Sequence, residues 1–543
     1  MTLASTQRRG DSNPATPSTS LFAPRRRPRP KVLLALSTIV VVALALPLIF
    51  LLTEAASAGT SNVWHLIWRT LSATLLWNTL RLTVVVTFLC AVIGTLCAYC
   101  VERTDLPFRH VWAVLVVIPF AIPDFVVSFG WSSLSTWVSG YRGAVLVMTF
   151  AVYPLVYLPV AASLRGADAG QEEIARSLGA SRLSTFVRVT LGQARRAILG
   201  GCLLVALVIL AEYGAFEILG YPTFTTVIFG EFSVGFDTAS ACALSLVLVL
   251  LSVVVMIGES SVRGAGHVSR IGPGVQRVMT RRPLGRMKWP VVLGFFVLVG
   301  AALGVPVGSS IYWMFEGGAQ SIGGVSLASA ALYTAGYSAA AALVATLMAL
   351  PVALLVVRRP TKLHLLLTRT TFLVLAMPGL VVALALSYFS EQHANSFGYQ
   401  TAPLLIFAYA LMFFPLALVG VRASVAQAPV ALEEVAGSLG VKRRHVLLRV
   451  TLPLVAPGLG AAFCLVFLSA VTELTATLIL IPTGAQTLAT QFWSYQQNLS
   501  YGQAAPFALA IIAVAALPAY LLGRFFDRLP VRQGPSPVRK VLQ

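Results

Sequence analysis

Glu172-Glu173-Ile174-Ala175-Arg176-Ser177-Leu178-Gly179 and Glu433-Glu434-Val435-Ala436-Gly437-Ser438-Leu439-Gly440 are two copies of one stretch, 261 positions apart. The first runs on to Arg188-Val189-Thr190-Leu191, the second to Arg449-Val450-Thr451-Leu452-Pro453. Across 172–191 and 433–452, 11 of 20 positions are identical. Both copies are polar islands between long apolar runs. Each opens with acids, which suit the N-terminal end of a helix dipole, and the first copy continues in good helix formers. Gly179 and Gly440 predict a left-handed C-terminal stop. Ser181 is placed to cap a second short helix in which Phe186, Val189 and Thr190 share a face, and Lys442 stands at that cap in the second copy. The pattern predicts a compact helix–turn–helix. Duplication alone accounts for two similar solvated loops. It does not explain why the loops stay alike while the flanking runs have drifted; a docking surface for a partner does.

The flanking runs set those loops in a membrane. Of 543 residues, 57% are apolar and 11% charged, and the mean hydropathy is +0.83. A helical span takes ~20 mainly apolar residues. Twelve runs qualify: 32–53, 80–101, 111–132, 143–164, 197–219, 239–258, 290–312, 330–357, 365–388, 402–421, 456–481 and 506–523. The fold class predicted is all-α integral membrane, with about twelve transmembrane helices in two parallel six-span repeats. The net charge of +20 is compatible with nucleic-acid binding by amount but not by placement. With the amino terminus inside, 36 of 39 Lys and Arg fall in inner segments, and only Arg69, Arg81 and Arg142 lie outside or near an outer end. That distribution satisfies the positive-inside rule at every loop. Six spans separate the twin loops, so both face the same, cytoplasmic, side, and both termini are expected there. Arg25-Arg26-Arg27 before the first run and Ala56-Ser57-Ala58 after it resemble a cleavable signal. That run is longer than the ~7–15 residues of a signal h-region, which favours a retained helix.

The repeat extends beyond the loops. At an offset of 255, Thr79 matches Thr334, Ala98 matches Ala353, Arg103 matches Arg358 and Pro123 matches Pro378. Further on the offset is 261, through Pro154 and Pro415, the twin loops, and Glu212 and Glu473. The division expected is a disordered basic tail (1–30), a first repeat (31–258, core 80–258, inner loop 165–196), a basic cytoplasmic linker (259–289), a second repeat (290–523, core 330–523, inner loop 422–455) and a cytoplasmic tail (524–543). Parallel repeats imply an axis along the membrane normal, with a substrate route between the halves. Anionic lipid would attract the cluster from Arg25 to Lys31.

Pro119, Pro123 and Pro378 are expected to break helices near mid-span, and the freed carbonyls need protein or water rather than lipid. Asp124, Glu212, Glu473 and Glu217 lie within or beside apolar runs. An ionised acid at the bilayer centre costs at least ~2.5–3.5 kcal/mol, so such acids face cavities or partners. Two readings stand: Glu212, Glu473 and Asp124 line a translocation pathway, or each is hydrogen-bonded to a neighbour and fixes packing. The six cysteines sit in or at the ends of spans, as small apolar packers do. The six histidines lie in loops or near span ends without metal-ligand spacing. No metal site is expected.

The spacing Glu-x-Ala-x-x-x-Gly, nine residues, an aliphatic residue, x, Leu-Pro resembles the EAA loop of permeases of ATP-binding-cassette (ABC) importers of the type I fold. The second copy matches to Leu452-Pro453; the first departs at Gly192, and Ile174 and Val435 replace the middle alanine. The resemblance implies that Glu173, Ala175 and Gly179, with Glu434, Ala436 and Gly440, form coupling helices that dock on ATPase subunits, expected in two copies. Most of both halves is similar to fused two-domain permeases of the ferric-iron group. Ala211-Glu212-Tyr213-Gly214-Ala215-Phe216 and Tyr221-Pro222-Thr223-Phe224-Thr225-Thr226 look like that group's sequence after the fifth span. The resemblance further implies an extracytoplasmic binding protein that selects the substrate, ferric iron, and a place in the cell (inner) membrane. Thiamine and phosphonate permeases share the fused plan, and a secondary transporter would also show parallel halves.

No catalytic residue, cofactor or metal is expected. A phosphate-cradling Walker loop needs Gly-Lys, and each of the five lysines follows another residue: Pro30, Met287, Thr361, Val441 or Arg539. Hydrolysis is therefore expected on separate subunits.

Overall fold

Where the third apolar run meets Pro119 and Pro123, the helix is interrupted, and proline favours a break because it lacks the amide that the preceding turn would bond. The chain makes helix over Arg109–Ala121, breaks, and restarts over Asp124–Ser132 with a bend of 93°. The structure, a computed structural model, describes residues 31–57, 70–166, 169–235, 238–263, 281–317, 324–358, 370–371, 373–393 and 398–528. The expected tail 1–30, most of the linker and most of the last tail lie outside those residues. Among the described residues, nine helices are long and apolar enough to cross a membrane, or eleven if each of two bent pairs is one span. The second bent pair is Ala402–Met412 with Phe414–Gln427, at 57°. These eleven coincide with eleven of the twelve apolar runs. The remaining run, 365–388, is partly outside the described residues; its described part breaks at Pro378 and continues as helix over Gly379–His393.

Two boundaries differ from the apolar pattern. The fifth and eleventh helices do not continue to 219 and 481; they end at Ala211 and Val471. Short helices over Gly214–Ile218 and Thr475–Leu480 follow. Ala215, Phe216 and Ile218 keep the sequence apolar across the first break, so hydropathy does not register it. The twin loops differ too. Their second helix is not a separate element: Arg182–Thr185 passes through a π turn at Phe186–Thr190 directly into Leu191–Ala211. Arg443–Val446, Leu447–Thr451 and Leu452–Val471 repeat the arrangement. The sequence position that differs at the loop exit, Gly192 against Pro453, leaves the path unchanged, because both residues stand in the first turn of the following helix.

Two hydrophobic cores hold the chain together, and each draws on both halves. One gathers the first half's buried side chains from Leu82 to Tyr221, with Phe295 and Ala302 of the seventh span and Phe492, Phe507 and Ile511 near the carboxyl end. The other gathers Ala341 to Leu480, with Leu44 and Leu51 of the first span and Ile228, Cys242 and Leu248 from the end of the first half. The repeats are sequential in the chain and interlocked in space. The first helix, Lys31–Ser57, packs against Gly324–Arg358 and Gly379–His393 of the other half. Its counterpart, Val305–Glu316, packs against Asp124–Ser132 and against Tyr501–Arg528.

Candidate functional site

Each twin loop begins with a nine-residue helix, Ala169–Ser177 or Val430–Ser438. Gly179 (φ +85°) and Gly440 (φ +78°) take the left-handed conformation that stops it. The amide after each glycine reaches back to the motif alanine: Ala180 N donates to Ala175 O (3.0 Å) and Val441 N to Ala436 O (3.1 Å). That long backward bond is the Schellman closure, and a side chain in the left-handed region strains it. Ser181 caps as expected, its Oγ accepting from Ser184 N at 3.2 Å. Phe186 stacks edge-on against Tyr99, with centroids 4.8 Å apart.

The two acids of each motif differ in role. Glu434 is exposed, and the side chain of Glu173 lies outside the described set. The anchors are the acids one position earlier. Glu172 is buried, accepts from Thr190 Oγ1 at 2.8 Å and pairs with Arg282. Glu433 pairs with Arg358 at 3.0 Å. The EAA pattern draws attention to Glu173 and Glu434 and passes over Glu172 and Glu433. The signal was present: these two are also identical between copies, and Arg103 and Arg358 recur beside them. With the anchors turned inward, each loop presents large apolar side chains outward. Ile174 is 61% exposed and Leu178 81%; their counterparts Val435 and Leu439 are 56% and 76%. Both polar loops thus carry matched exposed apolar side chains.

In the membrane, Glu212 and Glu473 occupy the two helix breaks. Glu212 is in extended conformation, and its Oε1 accepts from Ala215 N at 2.7 Å. Glu473 Oε1 accepts from Ala476 N at 3.1 Å. Each carboxylate thus satisfies an amide at the start of the next short helix, which helix geometry would otherwise leave unbonded. The backbone carbonyl of Glu473 accepts from Thr477 Oγ1 at 2.7 Å, and that of Glu212 accepts from Thr225 Oγ1. Asp124 starts the half-helix after Pro123 and, with Glu473, lies within electrostatic reach of Glu212. These acids do not converge as shared ligands: among the described residues, no three His, Cys, Asp or Glu side chains could hold one metal ion. Glu217 is exposed on the short helix beyond the break.

The breaks are also where the halves touch. A Cβ on Gly214 would stand 2.7 Å from Leu474 Cδ2 and 3.0 Å from Phe125 Cβ, so glycine permits that approach. On the second-half side, Glu473 lines a cavity of about 10 Å³ with Thr334, Ser338, Tyr409, Thr477 and Thr487. That is room for about one water, so no ion with its hydration shell passes there in this conformation. Beyond each break a capping box starts another helix. Thr223 N donates to Thr226 Oγ1 at 2.9 Å, and Thr487 N to Thr490 Oγ1 at 3.0 Å. The stretch from Tyr221 to Thr226 therefore has a local structural function.

A membrane chain of two matched halves, with paired exposed loops on one level and paired broken helices on another, has the build of a duplicated permease. Residues 91–259 and 341–532 each match the family described as binding-protein-dependent transport system inner membrane component, and the chain belongs to that family. It carries the domain twice, as a fused two-domain permease of ABC importers. It is 36% identical over 483 residues to an Fe(3+)-transport system permease protein of Haemophilus influenzae, covering 88% of this chain and 95% of that protein. A ferric transport system permease protein of Actinobacillus pleuropneumoniae is 23% identical over 495 residues, 83% of this chain and 70% of its own. A molybdate/tungstate transport system permease protein of Pyrococcus furiosus is 29% identical over 185 residues, 33% of this chain and 74% of its own.

Proposed function

We propose that this multi-pass membrane protein is the permease of a ferric-iron importer, receiving Fe3+ from an extracytoplasmic binding protein and driven by two ATPase subunits docked on the twin loops. The observation that carries the substrate is the 36% identity to an Fe(3+)-transport permease across nearly the full length of both chains. The paired apolar patches of Ile174, Leu178, Val435 and Leu439 support the docking. Hydrolysis occurs on those subunits, and this chain converts their movement into alternating access. Both termini and both loops are cytoplasmic, by the distribution of Lys and Arg. Anionic lipid surrounds the basic amino-terminal cluster.

Glu212, Glu473 and Asp124 are the pathway residues in this reading. Carboxylate oxygens are hard donors suited to a hard cation, and in this reading each of the three attracts the ion singly rather than as one cage. The ion is cargo, held transiently by whichever carboxylate the open conformation exposes. Purified permease, assembled with its ATPase in liposomes and supplied with iron-loaded binding protein, should accumulate radioactive iron only with ATP. Uptake of thiamine or a phosphonate without iron would replace the substrate. Uptake without any ATPase would replace the class with a secondary transporter.

A further inference from the structure

The duplication predicts one arginine for each loop anchor, and the halves depart from it. In the second half the arrangement is direct. Arg358, at the end of the helix Gly324–Arg358, donates to Glu433 Oε1 at 3.0 Å and to Ala428 O at 2.9 Å. The corresponding pair in the first half is Arg103 and Glu172. Arg103 is in place, at the end of the helix Thr70–Arg103, and is only 4% exposed. Yet none of its three side-chain nitrogens has a hydrogen-bond partner among the described residues. Glu172 is held instead by Arg282, whose Nη1 also donates to Tyr99 Oη at 3.1 Å.

Arg282 belongs to the segment joining the two halves, and its backbone is fixed beside Arg103. Arg282 N donates to Arg103 O at 3.0 Å, and Asp105 N donates to Arg282 O at 3.1 Å, forming a single parallel bridge between Thr104 and Arg282. Leu284 N donates to Asp105 Oδ1 at 2.7 Å. Glu172 therefore ties the loop helix to the following span through Thr190 and to the joining segment through Arg282, and Arg282 extends the link to Tyr99 of the second span. A buried guanidinium without hydrogen bonds is costly, and a carboxylate within reach is its natural partner. Glu172 and Arg282 are among the charges that act on Arg103.

We propose that Arg282 is a positioning residue for the first coupling loop, holding Glu172 in place of Arg103, and that Arg103 is a second holder able to take Glu172 when Arg282 is absent. The first loop then has two arginines for one anchor, where the second loop has one. The first loop's posture is then shared between the segment that joins the halves and the second span, whereas the second loop's rests on Arg358.

The posture is read without substrate or ATPase. A spin label replaces Leu178 or Leu439, both exposed, in the full chain in lipid nanodiscs. Arg358→Gln alone should mobilise the label at 439. At 178, Arg282→Gln alone should change mobility little, Arg103→Gln alone should change it little, and the double variant should mobilise it as Arg358→Gln does at 439. Glu172→Gln removes the anchor from both arginines and keeps its shape, so it should reproduce the double variant. Arg282→Lys should retain the ordered spectrum in the Arg103→Gln background. The proposal is overturned if Arg282→Gln alone equals the double variant, if the double equals the sum of the singles, or if Glu172→Gln leaves the wild-type spectrum. A second readout, which rests on the transport reading, is substrate moved per ATP in the assembled complex. Arg282→Gln alone should lower it roughly two- to threefold, as loss of one ion pair does, and Arg103→Gln alone should change it less. The double should lower it roughly tenfold or more, as an uncompensated buried charge does. If no ATPase binds the wild-type chain, the transport reading fails while the spin-label result still decides the role of Arg282.

Discussion

The first half places two acids at its break, Asp124 after Pro123 and Glu212 after the fifth span; the second places one. Glu473 matches Glu212, but Gly379 stands where Asp124 would be, with Met412 Cε packed against the position a Cβ would take and Glu473 Oε1 3.5 Å from it. Around Glu473 the polar groups are hydroxyls: Tyr409 Oη bonds Thr477 Oγ1, and Thr334 and Thr487 line the same small cavity. The residue retained in both halves is the one whose carboxylate caps a helix. Duplication has preserved the acid needed to end one helix and begin the next, and has left the neighbouring position free to serve one half only.

The comparison fails most visibly if the loops are not equivalent. Gly179→Val and Gly440→Val each force a branched side chain into the left-handed region, at a cost of about 1–3 kcal/mol. Each should lower coupled transport by roughly tenfold or more, by similar amounts in the two halves, with normal membrane insertion. Uptake per assembled complex is the measurement; an unaffected double variant would remove the docking role. Next in size is the pair Glu212→Gln and Glu473→Gln. The amide oxygen still accepts from Ala215 or Ala476, so the cap survives while the charge is lost. For pathway residues the double variant should lose about tenfold in uptake, or ~1.4 kcal/mol, at wild-type complex levels. Wild-type uptake would leave capping as their only role, and Glu→Leu would then reduce assembled complex instead.

Asp124→Asn sharpens the asymmetry. It should reduce uptake by roughly threefold, under 1 kcal/mol, because Glu212 and Glu473 remain. Equal loss in Asp124→Asn and Glu212→Gln would show that the two charges weigh alike in the first half and remove the asymmetry. Least in effect are the threonine caps. Thr223→Ala and Thr487→Ala should each destabilise the solubilised permease by about 1 kcal/mol, read as similar drops in its thermal unfolding midpoint. A much larger drop for one of them would mean that the boxes, alike in geometry, carry different loads.

Hydropathy made the spans legible, because crossing a bilayer demands long apolar runs. The stops at Gly179 and Gly440 were legible because few residues suit that conformation. The breaks at Ala211 and Val471 were not, since a capping carboxylate interrupts the backbone without interrupting the apolar run. Nor was the anchoring of Glu172: adjacent acids on a helix point about 100° apart, and the partners that hold this one, Arg282 and Thr190, lie across space. The interlocked cores were invisible for the same reason, as they pair Leu44 with residues some 300 positions away.

That interlock has a consequence in time. The first half's core includes Phe507 and Ile511, on the helix Tyr501–Arg528. Synthesis of a chain proceeds at roughly 5–20 residues per second. From Tyr221 to Tyr501 is 501 − 221 = 280 residues, so the ribosome needs on the order of 15–60 seconds to supply what completes that core. Throughout that interval the first half stands in the bilayer with one flank unfinished, and the helix Tyr501–Arg528 closes the packing of the first repeat inserted.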